Sequence, residues 1–326
     1  MGFLTVPRTF ALTLLLLVIG SRVSMAADDP PAYLALGDSL AFGVGAANPA
    51  AEGYVGLTHF QLAEDKARYP GGLELINLAE PGATSSDLVA PAGQLERALN
   101  EIEERQNDEI PGNEVELISI DIGGNDLLQL AEPDTPCLID TGSAACREAL
   151  NDSLSDLQRN LADILSQLRE AVPAAGIFAI DLYNPYSGTG DPREVLASVA
   201  VQQVNGVINA TASEPALAVD LVSVFELFLG RGEQWVASDR IHPNDSGHLV
   251  ISEALLAAIE DRAVAIPEEL ASVPTGPSTG QQGSASPVSS NRDDVSATLL
   301  FVAIGIAFAA GLVVSGTYFW ARGRSN

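Results

Sequence analysis

The chain has 326 residues, and its 43 acidic and 16 basic residues give a formal net charge of −27 at pH 7. A charge of this sign repels polyphosphates, which argues against nucleic acid as a partner. Both ends have the patterns of targeting or anchoring segments. The remaining middle, residues 32–265, is long enough to form one globular domain with its own hydrophobic core.

Residues 1–26 have the pattern of a secretory signal peptide. Arg8 supplies the positive charge, residues 10–20 are apolar, and residues 24–26 offer a small-x-small cleavage site. The apolar run is short for a bilayer span, so a cleaved signal is favoured over the alternative, an uncleaved N-terminal anchor.

The C-terminal segment has the pattern of a stalk followed by a membrane anchor. Residues 266–294 are rich in Ser, Gly and Pro and predict a flexible stalk. Residues 295–320 carry no charge and are long enough for a transmembrane helix. Arg322 and Arg324 come after it, which predicts that residues 321–326 form a cytoplasmic tail. We therefore expect an extracytoplasmic domain anchored to the cell membrane.

The chain has two cysteines, Cys137 and Cys146, nine positions apart in a loop-like stretch. Disulfides persist on the outer side of a membrane, so we expect these two residues to be paired. The alternative is two free, buried thiols.

Within the middle region, short apolar runs alternate with longer helical patterns. This alternation predicts an α/β domain, a three-layer α/β/α sandwich around a five-stranded parallel sheet. The predicted strands are residues 32–36, 73–78, 115–122, 177–182 and 217–221. The predicted helices are residues 54–65, 88–104, 149–172, 192–212 and 246–263.

Open parallel sheets bind ligands at the carboxyl ends of their strands, so functional residues are expected directly after each apolar run. Gly37-Asp38-Ser39-Leu40 comes after the first strand and can present the Ser39 hydroxyl at the sheet edge. Taken alone, the same segment is also an ordinary turn.

Two later segments offer hydrogen-bond donors. Gly82 comes after the second strand with a backbone N–H that no side chain obstructs, and Asn125 comes after the third strand with a side-chain amide. Donors of both kinds stabilise oxyanions in acyl transfer. Each segment alone is equally well interpreted as a turn or a helix cap.

The chain has three histidines, and His242 is the one that has an acidic neighbour and lies outside the helical patterns. Asp239 precedes His242 by three residues and can orient one ring nitrogen while the other faces a nucleophile. His59 and His248 lie in helical patterns, which favours packing or surface roles for both.

These segments, in this order and at these strand ends, resemble the GDSL/SGNH hydrolase family. The similarity runs from about residue 33 to residue 263, through Gly37-Asp38-Ser39-Leu40, Gly82, Gly123-Gly124-Asn125-Asp126 and Asp239-x-x-His242-Pro243. The resemblance implies that Ser39 is the nucleophile, that His242 is the general base and then acid, and that Asp239 orients the histidine. It also implies an oxyanion hole formed by the amides of Ser39 and Gly82 and the side chain of Asn125.

The resemblance implies the SGNH, flavodoxin-like hydrolase fold and a serine esterase or lipase that cleaves esters of lipids or glycans. No cofactor and no metal are implied, and no Gly-x-Ser-x-Gly elbow of the α/β-hydrolase type follows any of the predicted strands. Two alternatives stay open: an acyltransferase that uses the same triad, and a cell-surface binding module without turnover. Family tendency also favours short to medium acyl chains.

Overall fold

The structure, a computed structural model, describes residues 29–269. The predicted architecture is confirmed: five parallel strands form one sheet in the order β2-β1-β3-β4-β5, with helices on both faces. The strands are β1 (Ala32–Gly37), β2 (Glu74–Asn77), β3 (Val115–Asp121), β4 (Gly176–Ile180) and β5 (Val219–Val222).

Five helices of eleven or more residues cover the sheet within residues 29–269, and shorter ones occupy the loops. The long helices are α3 (Tyr54–Glu64), α5 (Gln94–Asn107), α8 (Ala144–Ala171), α9 (Glu194–Ala212) and α11 (Asp245–Glu269). The short ones are α1 (Ser39–Phe42), α2 (Pro49–Glu52), α4 (Ser85–Leu88), α6 (Gly124–Leu128), α7 (Pro136–Ile139) and α10 (Gly232–Trp235).

The central strands are apolar on both faces because each face of the sheet is covered by helices. In β1, Leu34 and Leu36 pack with α5, α8 and α9, whereas Tyr33 and Ala35 point to the opposite face and pack with α3 and α11. Side chains alternate across a strand, so one continuous apolar run supplies two separate cores. These two cores hold the strands in place and thereby position the loops at the carboxyl edge of the sheet.

Two helices start five residues or more away from their predicted first residue. The helix predicted to start at residue 88 starts at Gln94, because α4 ends at Leu88 and a loop containing Pro91 separates the two helices. The helix predicted to start at residue 149 starts five residues earlier, at Ala144, where the Ser143 side chain accepts a hydrogen bond from an amide of the first turn.

Helix α11 continues to Glu269, four residues into the segment 266–294 that is predicted to be a stalk. The predicted signal peptide (1–26), the rest of the stalk, the membrane span (295–320) and the tail (321–326) lie outside the described residues. Of the helices between residues 29 and 269, none is both long enough and apolar enough to cross a bilayer.

Candidate active site

Ser39 lies at the carboxyl end of β1, in a turn that requires glycine beside it. Gly37 has a φ of +147°, and a Cβ at this position would lie 2.5 Å from the backbone oxygen of Asp121 in the neighbouring strand β3. After Gly37, the Asp38 carboxylate accepts a hydrogen bond from the Leu40 N–H at 2.9 Å and caps the short helix α1. Ser39 is therefore the first residue of that helix, and it is partly exposed at the sheet edge.

A buried glutamine fixes the backbone of this turn. The Gln94 side chain donates to the Gly37 carbonyl at 2.8 Å and accepts from the Gly37 N–H at 2.9 Å. Glu80, in the loop after β2, donates its N–H to the same carbonyl at 3.1 Å. The nucleophile turn and the loop that contains Gly82 are thereby linked. No local pattern signals this role of Gln94, since the contact spans 57 residues.

The structure places Ser39, His242 and Asp239 in one hydrogen-bonded chain. His242 Nε2 lies 2.8 Å from Ser39 Oγ, and His242 Nδ1 lies 2.6 Å from Asp239 Oδ2. The other carboxylate oxygen of Asp239 accepts the N–H groups of Ile241 and His242 at 3.0 and 3.1 Å.

The charge state of Asp239 determines which ring nitrogen of His242 carries a hydrogen. Partial burial raises the pKa of Asp239, but the hydrogen bonds from the His242 ring and from the Ile241 and His242 amides outweigh that effect and lower it to about 2. An ionised carboxylate only accepts hydrogen bonds, so the hydrogen lies on His242 Nδ1. In the neutral ring, Nε2 is then an acceptor for the Ser39 hydroxyl.

The histidine loop is held by contacts from three directions. The Ala237 N–H donates to the His242 carbonyl at 2.8 Å, and the Tyr183 hydroxyl, at the end of β4, donates to the Ile241 carbonyl at 2.5 Å. On the third side, Gly45 packs so closely that a Cβ there would lie 2.1 Å from the Pro243 carbonyl oxygen. The backbone of Gly45 therefore limits how far the loop can move.

The two donors identified in the sequence lie near this chain of contacts. Gly82 has a φ of +89° and open space where a Cβ would be, so a side chain does not obstruct its backbone. The Asn125 side-chain nitrogen donates to Asp38 Oδ2 at 3.1 Å and to the Ala83 carbonyl at 2.9 Å. Both hydrogens of the Asn125 amide thus have acceptors already, and an oxyanion has to take one of them in exchange.

Asp126 connects the two donor-bearing loops. Its buried carboxylate accepts the Ser85 N–H at 2.9 Å and the Ser85 hydroxyl at 2.5 Å, and Asn160 of α8 donates to the same hydroxyl at 3.0 Å. Burial raises the pKa of Asp126. These bonds fix the start of α4 against α6 and so hold the loop of Gly82 next to Asn125, whose side chain donates to the Ala83 carbonyl.

The other two histidines have structural contacts, as the sequence suggested. His59 Nε2 lies 2.7 Å from the Leu73 carbonyl. His248 is fully buried; its Nδ1 accepts the Tyr54 N–H at 3.2 Å, so its Nε2 carries the hydrogen and donates to the Val44 carbonyl at 3.0 Å. Burial lowers the pKa of His248, consistent with a neutral ring that ties α11 to α3.

Two features of the surrounding loops complete the site. A cavity of about 350 Å³ adjoins Gly82, and its lining consists of small or polar residues: Glu80, Pro81, Gly82, Ala83, Asp87, Ala90, Pro91, Ala92, Gly93 and Gln94. In the loop after β3, Cys137 of α7 and Cys146 of α8 are joined by a disulfide bond.

Comparison with known proteins identifies the class of this enzyme. Residues 35–250 match the model of the GDSL-like Lipase/Acylhydrolase family. This match covers more than half of the chain, and the fold is the α/β sandwich expected for that family. The chain therefore belongs to the GDSL-like lipase/acylhydrolase family, and it is a carboxylic ester hydrolase.

Individual relatives agree with this assignment. The chain is 28% identical over 234 residues to the spore germination lipase LipC of Bacillus licheniformis, covering 69% of this chain and 95% of LipC. A lipase from a goat rumen metagenome, Lip_vut3, has a similar structure, with a TM-score of 0.52, 26% identity, and coverage of 70% of this chain and 97% of that one. A phospholipase A1 of Streptomyces albidoflavus shares the fold, with a TM-score of 0.51, 20% identity, and coverage of 71% and 99%.

The contact of Gly45 with the histidine loop predicts that Gly45→Ala lowers esterase activity by more than tenfold, because the loop must move away from Ser39 to admit the methyl group. Gly72→Ala is the matched control: Gly72 has nearly the same φ, +99° against +98°, but open space around the position of a Cβ. Both variants introduce the same backbone strain, so equal specific activities in a p-nitrophenyl acetate assay would show that the close contact is unimportant.

Proposed function

We propose that this protein is a serine esterase in which Ser39 is the nucleophile, His242 the general base and acid, and Asp239 the residue that orients the histidine. The observation that carries the proposal is the hydrogen-bond chain from Ser39 Oγ through both ring nitrogens of His242 to the Asp239 carboxylate. A serine hydroxyl is a weak nucleophile unless an adjacent base accepts its proton, and Nε2 lies at the distance needed for that transfer.

The proposed reaction has two halves. Ser39 Oγ attacks the ester carbonyl carbon while its proton passes to His242 Nε2, and the carbonyl oxygen becomes an oxyanion bound by the Ser39 and Gly82 amides and the Asn125 side chain. The carbon–oxygen bond to the alcohol then breaks, and His242 returns the proton to the departing oxygen. Water attacks the acyl-enzyme in the same way and releases the acid and free Ser39.

For the substrate, we propose esters of short to medium acyl chains, carried by a lipid or a glycan. The cavity beside Gly82 is compatible with a small substrate group next to this proposed donor, since its volume of about 350 Å³ is at the small end of ligand pockets and small or polar residues line it; Ser39 and His242 are not among them. Two similar proteins, LipC and Lip_vut3, are described as lipases, and this similarity is the reason to include lipid esters among the proposed substrates.

The first test of the triad is Ser39→Ala, which we expect to lower kcat by about 10⁴-fold and to abolish labelling by a fluorophosphonate probe. Asn125→Ala should retain labelling and lower kcat by about a hundredfold through loss of one oxyanion donor. His59→Gln, which changes a histidine with a structural contact, is the control and should retain nearly full activity. Labelling at a residue other than Ser39 would contradict the assignment.

The second test compares p-nitrophenyl esters from acetyl to palmitoyl on purified protein. We expect kcat/KM to peak at short or medium chains and to fall with longer acyl groups, as the family resemblance implies. A peak at long chains would refute this choice of substrate. Product analysis with both water and a sugar alcohol present separates hydrolysis from acyl transfer, because a transferase gives mainly the acylated sugar.

We also propose, from the sequence, that residues 295–320 anchor the enzyme with its catalytic domain outside the cell membrane. The disulfide between Cys137 and Cys146 supports an oxidising, extracytoplasmic location. In cells that express the full chain, the protein should stay in the membrane fraction after a carbonate wash, and a chain truncated after residue 269 should be released. Recovery of the full chain in the soluble fraction would exclude the anchor.

A further inference from the structure

Two buried carboxyl groups lie directly behind the nucleophile. Asp38 precedes Ser39, and Asp121 ends the neighbouring strand β3, paired in register with Gly37. Asp38 is 6% exposed and Asp121 is 1% exposed. Neither is a member of the triad, and two such groups in contact and away from water cannot both be ionised without a large cost.

The hydrogen bonds around the pair differ between its two members. Asp121 accepts the Tyr54 hydroxyl at 2.5 Å and the Asp38 N–H at 3.3 Å, which stabilises its ionised form. Asp38 accepts the Leu40 N–H on one oxygen and the Asn125 amide on the other. Asp38 is thus the link between the buried acid pair and the proposed oxyanion donor.

The surroundings assign the single proton to Asp38. Burial, and then the charge of Asp121, raises the pKa of Asp38 well above its ordinary value. Burial also raises the pKa of Asp121, but the hydrogen bond from Tyr54 opposes this effect and leaves the value at about 6. This difference places the proton of the pair on Asp38 and the charge on Asp121, whose Oδ1 accepts the Asp38 N–H at 3.3 Å.

The other titratable groups that face the pair do not replace this proton. Tyr33 of β1 and Tyr54 of α3 are buried, and Tyr183 after β4 is partly buried. Burial raises the pKa of each hydroxyl, so all three stay neutral. His242 is the remaining neighbour, and a charge on its ring lowers the pKa of Asp38. Among side chains, Asp121 consequently has the largest effect on the titration of Asp38.

We propose that the proton shared by Asp38 and Asp121 keeps Asp38 a weak hydrogen-bond acceptor, so that the Asn125 amide can transfer a hydrogen bond to the substrate oxyanion. A neutral carboxyl group holds an amide hydrogen less strongly than a carboxylate does. Asp121 is then a positioning residue, since it acts on Asn125 only through Asp38. This inference rests on the proposed function, in which Asn125 is an oxyanion donor.

The proposal requires a fall in activity at alkaline pH. When the second proton leaves the pair, Asp38 becomes a carboxylate, holds the Asn125 hydrogen tightly and adds negative charge behind the developing oxyanion. The kcat of the wild type should therefore fall by about tenfold or more above the pH at which Asp38 ionises, while KM changes little because the ground-state ester carries no charge.

Two substitutions change this fall of kcat at high pH, the alkaline limb of the pH profile, in different ways. Asp121→Asn removes the like charge that keeps Asp38 protonated, so the limb should move to lower pH. Asp38→Asn places an uncharged amide beside Asn125 at every pH, so the limb should disappear, whatever the remaining kcat. Asp181→Asn is the matched control, because Asp181 is also a buried carboxylate at a strand end with a raised pKa, but it binds the loop after β5. Its profile should have the wild-type shape.

The experiment measures kcat and KM for p-nitrophenyl acetate against pH in all four proteins, with thermal melting as a check of folding. Difference infrared spectroscopy of the same samples tracks the C=O band of a protonated carboxyl group, which should persist at neutral pH in the wild type and be absent in Asp38→Asn. This second measurement does not depend on turnover, so it tests the shared proton even if the protein cleaves no ester.

The outcomes separate clearly. An acid-shifted limb in Asp121→Asn with a loss of the limb in Asp38→Asn supports the proposal. Identical profile shapes in the wild type and Asp121→Asn, or a wild type with no alkaline fall, overturns it. The absence of a protonated-carboxyl band at neutral pH also overturns it. If the band is present but Ser39 is neither labelled nor required for turnover, the proposed function fails independently.

Discussion

The site depends on the hydrogen bond between Ser39 and His242, two residues separated by 203 positions in the chain. This contact forms because Ser39 comes directly after β1, at the carboxyl edge of the parallel sheet, and His242 lies in the loop directly before α11. Helix α11 packs against one face of the sheet and thereby holds this loop at the same edge. The two apolar cores offset the conformational entropy lost in this arrangement.

The buried acid pair shows a local conflict between stability and function. Because the pKa of Asp38 is raised in the folded protein, the group stabilises the fold below the unfolded pKa, and that contribution is lost as the pH rises towards the folded value. An apolar pair at the same positions would avoid this loss. It would also leave the Leu40 amide and one hydrogen of the Asn125 amide without their acceptors, which is a reason for carboxyl groups to remain there.

Sequence reasoning located the strands accurately because a strand buried on both faces is a short, continuous apolar run. It also singled out Ser39 and Asn125, since each comes soon after such a run, and His242, since Asp239 stands three positions before it and both lie outside the helical patterns. The predicted boundaries of α5 and α8 were less accurate, because helical periodicity does not reveal a loop around Pro91 or a helix cap at Ser143. Family membership, fold and enzyme class agree with the sequence-based prediction, whereas the roles of the individual site residues and the membrane anchor stay proposals.

By itself, the sequence determined the layered α/β fold and the order of the four motif segments, because local apolar patterns and short motifs express both. Only the tertiary structure decided that Asp121 and Tyr54 lie behind the nucleophile turn, that Gln94 fixes Gly37, and that Asn125 already has two acceptors. These contacts join distant parts of the chain, and their existence depends on which strand ends are neighbours. Strand order and register are properties of the packed sheet, and no local pattern of residues contains them.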